Sequence, residues 1–154
     1  MIAVSIPGRG DLQLAHAVFD VNGTLALDGE LLPGVKERID ALREQLDVHL
    51  LTADTHGKQA AIDAQLGLTA TIISRGAPEK GAYVLGLGAE SVVAIGNGTN
   101  DVPMMQAAGL SIAILGPEGV AGVTLQAADV IVASATDALD LLLHPRRLVA
   151  TLRR

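Results

Sequence analysis

Short apolar runs alternate with longer amphipathic stretches along most of this chain, and that alternation constrains the fold more than any other feature. Ala17-Val18-Phe19, Val48 to Leu51, Thr71-Ile72-Ile73, Val92 to Ile95, Ile112-Ala113-Ile114 and Val130-Ile131-Val132 each read as a strand. Between them, Val35, Ile39, Leu42 and Leu46 recur at helical spacing with charges interposed. His56 to Leu66, a segment opened by Pro78, Val102 to Ala108 and Ala135 to Leu143 read as further helices, followed by a short tail. Strands alternating with helices imply βαβ units, hence a mostly parallel sheet covered by helices on both faces, a three-layer Rossmann-like α/β fold. No repeat or linker divides residues 1–154, so a single domain is expected. Two hairpins flank the pattern. Ile2 to Ile6 and Leu12 to Leu14 form one within residues 1–15, and Asp28-Gly29 turns a second within residues 25–33. The second is expected to lie over the end of the Asp20 strand as a flap.

In a parallel sheet, ligands bind beyond the carboxyl ends of the strands. The residues just past the apolar runs are Asp20, Asn22, Gly23 and Thr24; Thr52, Ala53 and Asp54; and Gly96, Asn97, Gly98, Asn100 and Asp101. Polar side chains and glycines gather there and converge on one place. Composition narrows what that place can bind. A net charge of −6 argues against nucleic acid, whose phosphates are neutralised by Lys and Arg. One Tyr, one Phe and no Trp leave almost nothing for bases to stack on. Cysteine is absent, which fits a reducing compartment. No apolar run reaches the roughly 18 residues of a membrane span, and no secretory signal is evident, so a cytoplasmic protein without membrane association is expected.

Val18-Phe19-Asp20-Val21-Asn22-Gly23-Thr24-Leu25 resembles the first motif of the haloacid dehalogenase superfamily, D-x-D-G-T. Leu50-Leu51-Thr52 resembles the second, Lys80 the lysine of the third, and Gly96-Asn97-Gly98-Thr99-Asn100-Asp101 the fourth, G-D-G-x-N-D. Val102-Pro103-Met104-Met105 and Ala127-Ala128-Asp129-Val130 are similar to the phosphorylation domain of P-type ATPases. The resemblance implies a capless member, because the stretches from Asp20 to Thr52 and from Thr52 to Lys80 are too short for a cap domain. It implies Asp20, Thr52 and Lys80 as catalytic residues, with Asp20 the nucleophile that forms an aspartyl-phosphate. Asn22, Gly23, Thr52, Ala53, Lys80 and Asn100 would bind the phosphoryl group. Asp20, Asn22, Asn97 and Asp101 would hold Mg2+, a hard cation that prefers oxygen. Lys80 would balance phosphoryl charge and help keep Asp20 ionised.

Two positions depart from the family pattern. Asn22 stands where phosphatases carry the Asp that protonates the leaving group; P-type ATPases have Thr there and a long-lived phosphoenzyme. Losing a general acid or base forfeits about 10²–10⁴ in rate. Asn97 replaces a metal-binding Asp, so the cation site loses one negative charge and Asp101 would carry more of the burden. The expected activity is therefore a slow Mg2+-dependent phosphohydrolase acting on a phosphorylated substrate. A non-catalytic regulatory or binding protein and an ATPase-like phosphotransferase are the alternatives. Leu25, Leu27, Leu31 and Leu32 exceed what a small flap can bury, so a homo-oligomer formed near the flap is expected. His16, His49, His56 and His144 are scattered without zinc spacing, and Asp54 and Asp129 read as structural.

Overall fold

The computed structural model describes residues 1–154. Six strands form the main sheet: β3 (His16–Asp20), β6 (Asp47–Thr52), β7 (Thr71–Ile72), β8 (Val92–Gly96), β9 (Leu110–Ile114) and β10 (Val130–Val132). Their order is β10-β9-β8-β3-β6-β7, and every pairing is parallel. From β3 the chain first runs outward through β6 to β7, then returns to β8 on the other side and runs outward again. The order reverses between β3 and β8, and such a reversal opens a crevice at the strand ends. Asp20 ends β3 and Gly96 ends β8, so the first and fourth motifs flank that crevice.

The period of two sends alternate residues of each strand into two cores. Ala17, Phe19, Val93, Ile95, Leu110, Ile112 and Ile114 face a larger cluster. That cluster is closed by α1 (Val35–Arg43), α2 (Gln59–Leu66), α6 (Ala135–Leu143) and α7 (Arg146–Leu152). Val18, Val92, Ala94 and Ala113 face a smaller one with α3 (Ala77–Gly86) and α4 (Val102–Ala107), beside which lies α5 (Gly122–Ala127). Small strand residues on this second face let α3 and α4 come close. A Cβ on Gly81 of α3 would stand 3.0 Å from Pro103 of α4. The expected three layers are present.

Both hairpins form. β1 (Ile2–Ile6) pairs with β2 (Gly10–Leu14) and lies against the larger core through Ile2, Ile6, Leu12 and Leu14. Arg9 of its turn pairs with Asp129 at 3.1 Å and donates to the Gly109 carbonyl. β4 (Ala26–Leu27) pairs with β5 (Glu30–Leu31) across Asp28-Gly29, whose φ angles of 51° and 80° suit a primed turn. None of the residues of this hairpin lines the cavity at Asp20. Gly29, Glu30 and Leu31 instead border a hollow against α2, and Lys58 donates to the Asp28 carbonyl at 3.3 Å. Leu25 is wholly buried, and Leu31 and Leu32 pack on the larger core, so the premise of unburied flap leucines fails.

Local tertiary contacts account for the other differences. α2 begins at Gln59 rather than His56, because Gly57 has φ 64° and the Asp54 carboxylate accepts from the Gln59 N–H. α5 lacked an amphipathic signal; the Thr124 hydroxyl fastens it to the Gly98 carbonyl at 2.6 Å. The expected tail forms α7, which buries Leu148.

His16 and His49, distant in sequence, meet across β3 and β6 with ring nitrogens 3.2 Å apart, and His49 Nδ1 lies 3.0 Å from the Tyr83 hydroxyl. Partial burial, then the neighbouring His16, hold the His49 pKa below its ordinary value. The unfolded chain therefore binds this proton more readily, and the stability contributed by neutral His49 is lost as pH falls below 6.5. His49→Gln should accordingly be less destabilising at pH 5 than at pH 7.5 by thermal melting. Phe19, the only phenylalanine, is fully buried, and Phe19→Ala should lower unfolding free energy by about 3–5 kcal/mol in urea titrations.

Candidate active site

Each motif enters the crevice on a different element. Asp20 is the last residue of β3, one position past the fully buried Phe19, so the pleat turns its carboxylate away from the larger core. The chain then curls tightly: the N–H groups of Thr24, Leu25 and Ala26 all reach the Val21 carbonyl. Gly23 makes this possible with φ 84°, and a Cβ there would collide with Glu118 Oε2 and Asn97. The curl aims the Thr24 hydroxyl at Asp20 Oδ2 (3.2 Å) and Asn97 Oδ1 (3.3 Å).

Lys80 is the keystone. It sits in the first turns of α3, opened by Pro78, and is 1% exposed. Its ammonium lies 2.7 Å from Asp20 Oδ1 and 2.7 Å from Asp101 Oδ1. Asp101 is fully buried. Its Oδ2 accepts from the N–H groups of Asn97 and Gly98, both at 3.0 Å. Gly96 permits this approach, since a Cβ there would strike the Asp101 carboxylate. At the end of β6, the Thr52 hydroxyl oxygen accepts from the Asp54 N–H at 2.9 Å, which leaves its hydrogen free to donate.

Asp20, Asn22, Thr52, Ala53, Thr55, Asn97, Gly98, Asn100 and Glu118 line one cavity of about 180 Å³. The structure thus gathers six of the expected site residues at one surface. Gly23, Lys80 and Asp101 stand behind it. Gly23 has its N–H committed to the Ala26 carbonyl. Asp101, expected to hold the cation, has both oxygens engaged by Lys80 and backbone amides and is absent from the lining. In this structure it holds the ammonium and closes the loop of the fourth motif. Two larger hollows, of about 390 and 610 Å³, lie elsewhere and contain none of the motif residues.

Sequence reasoning passed over Thr24 and Glu118 as site residues. Thr24 is among the polar residues just past the first central strand. Glu118 follows β9 in Leu115-Gly116-Pro117-Glu118, where the same strand-end rule applies. Asp129, read as structural, accepts from the Ser111 N–H and hydroxyl.

A single ammonium serves two buried carboxylates, so the inner site carries a net negative charge. Burial, then the charge of Asp101, push the Asp20 pKa up to about 7 against the opposing pull of Lys80. Burial alone would drive the ammonium to deprotonate, yet Asp20 and Asp101 together outweigh it and raise the Lys80 pKa. The donor set suits a hard divalent cation: Asp20, Asn22, Asn97 and Glu118 all carry oxygen donors and line the one cavity. Asn22 Oδ1 is buried and lacks any partner within the protein.

A folded-state pKa above the ordinary carboxylate value means that the folded protein holds a proton the unfolded chain releases. Stability from this group is full below about pH 4 and falls as pH rises towards 7. Without divalent cation, Asp20→Asn should raise the thermal midpoint by several degrees at pH 8 and by little at pH 4. Equal effects at both pH values would contradict the buried-charge account.

A family model of haloacid dehalogenase-like hydrolases matches residues 6–109. An uncharacterized protein of Methanocaldococcus jannaschii is 44% identical over 64 residues, 42% of this chain and 69% of that protein. The probable cation-transporting ATPase G of Mycobacterium tuberculosis is 36% identical over 110 residues, 70% of this chain but 14% of the ATPase. Solved structures repeat the fold at lower identity. The cobalt-bound deoxy-D-mannose-octulosonate 8-phosphate phosphatase of Haemophilus influenzae has a TM-score of 0.71 at 17% identity, with 92% of this chain and 94% of that one covered. The corresponding Moraxella catarrhalis enzyme, in complex with magnesium and phosphate ions, has a TM-score of 0.70 at 19% identity, covering 91% and 94%. With more than half its length matched and four motifs meeting at one crevice, the chain belongs to the haloacid dehalogenase-like hydrolase family.

Proposed function

We propose that the protein is a slow, divalent-cation-dependent phosphohydrolase in which Asp20 attacks a phosphate monoester. The observation that carries this reading is the Asp20–Lys80–Asp101 bridge, which fixes one carboxylate at the floor of a polar cavity. An Asp20 oxygen bonds to phosphorus as the ester oxygen departs. Water then attacks the aspartyl-phosphate, the bond to Asp20 breaks, and inorganic phosphate leaves. Lys80 holds Asp20 in place and favours its ionised form, while the free Thr52 hydroxyl hydrogen and the Asn100 amide are disposed to donate to phosphoryl oxygens. Asp20, Asn22 and Asn97 would hold Mg2+, which would neutralise charge on the phosphoryl group.

Asn22 has no proton to relay where phosphatases carry a carboxyl group. The leaving oxygen and the attacking water therefore exchange protons without help from that position. Both steps slow for that reason. The cavity is smaller than the roughly 300 Å³ at which pockets begin to enclose whole small ligands. It fits a phosphoryl group with the remainder of the substrate outside. Structural neighbours act on a sugar phosphate, which suits this class of monoester. A second reading, a phosphoenzyme that turns over poorly, is favoured by Asn22 and by the similarity to ATPase G.

Incubation with acetyl phosphate and Mg2+ should label Asp20, detected by intact mass, and Asp20→Asn should abolish the adduct. Asn22→Asp should speed release of phosphate by about 10- to 100-fold. Absence of any adduct together with undiminished hydrolysis in Asp20→Asn would refute the mechanism.

A further inference from the structure

Glu118 lies in the loop after β9, outside the four motifs, yet it lines the Asp20 cavity. Its Oε2 occupies the space where a Cβ on Gly23 would stand, and Asn97 Nδ2 and Oδ1 lie 2.7 and 3.0 Å from that same point. The carboxylate therefore rests beside the asparagine that occupies the cation position. Glu118 takes part in none of the ion pairs of the protein. No cation within the chain neutralises it there.

The loop is held in that place by Asn97 itself. Asn97 Nδ2 donates to the Gly119 carbonyl at 3.1 Å, and the Ala121 N–H donates to the Asn97 carbonyl at 2.9 Å. An aspartate at position 97 would set a carboxylate oxygen against the Gly119 carbonyl, and two acceptors repel. The amide is thus a donor with a structural task, and the loop it anchors delivers a carboxylate. Charge gives the same picture. Asp20, Asp101 and Lys80 leave one net negative charge, and Glu118 brings the total to two, the value a divalent cation neutralises.

Resting on the cation-dependent reading proposed above, we infer that Glu118 is a divalent-cation ligand, supplying the carboxylate that Asn97 lacks while Asn97 anchors the loop that presents it. The cation site is then shared between the first motif, the fourth motif and the β9–α5 loop.

The test is Mn2+ binding, followed by electron paramagnetic resonance of the free ion on the intact protein. Glu118→Gln should weaken Mn2+ binding at least tenfold, as should Asp20→Asn, while Glu30→Gln on the flap stays within twofold of wild type. Circular dichroism and thermal melting without metal should show Glu118→Gln folded as wild type, since the side chain is exposed. Wild-type affinity in Glu118→Gln, with Asp20→Asn impaired, would overturn the role of Glu118 and leave the cation-dependent reading standing. Mn2+ binding that survives Asp20→Asn but not Glu118→Gln would place the ion away from the cavity and overturn it too. No Mn2+ binding by wild type would bring down both.

Discussion

The bridge from Lys80 to Asp20 and Asp101 organises this molecule. An ammonium 1% exposed is tolerable only because two carboxylates meet it at 2.7 Å, and those carboxylates are tolerable only because of the ammonium. The three residues come from β3, from α3 and from the turn after β8, so the same contacts that set the chemistry also fasten separate crossovers together. Removing Lys80 strands two buried carboxylates, which costs about 3–5 kcal/mol. Loss of function in a Lys80 variant therefore cannot be separated from loss of fold, whereas Thr52, Asn22 and Glu118 at the cavity wall can be altered with less structural consequence.

Much of the fold was legible because apolar runs in the main sheet are nearly continuous. Val92 to Ile95 and Ile112 to Ile114 are buried on both faces and carry no competing pattern. Asp28-Gly29 was equally plain, since its turn chemistry is local. What escaped was held by long-range contacts. α5 depends on a hydroxyl meeting a carbonyl far away in sequence, and α7 on burying Leu148 below the first hairpin. The leucines of the flap follow the same rule: their number does not reveal that Leu25 turns inward.

The site divides in the same way. Asp20, Thr52, Lys80 and the glycine-rich fourth segment announced themselves by residue type at strand ends, and they converge as the topology requires. The division of labour within them did not show. Asp101 and Asn97 are both short polar residues on one turn, yet one faces inward to the ammonium and the other outward to the cavity. Glu118 lies beyond any motif, and the cavity lining and the close approach at Gly23 reveal where it goes.

The second hairpin leans on α2, and none of its residues lines the cavity at Asp20. A recess this small grips only the tip of a larger molecule. The body of a bound molecule stays in water, and its shape is judged by the outer rims alone. Selectivity in such an arrangement is a property of surrounding terrain, and it can be rewritten by changing exposed residues such as Thr55 without disturbing the floor.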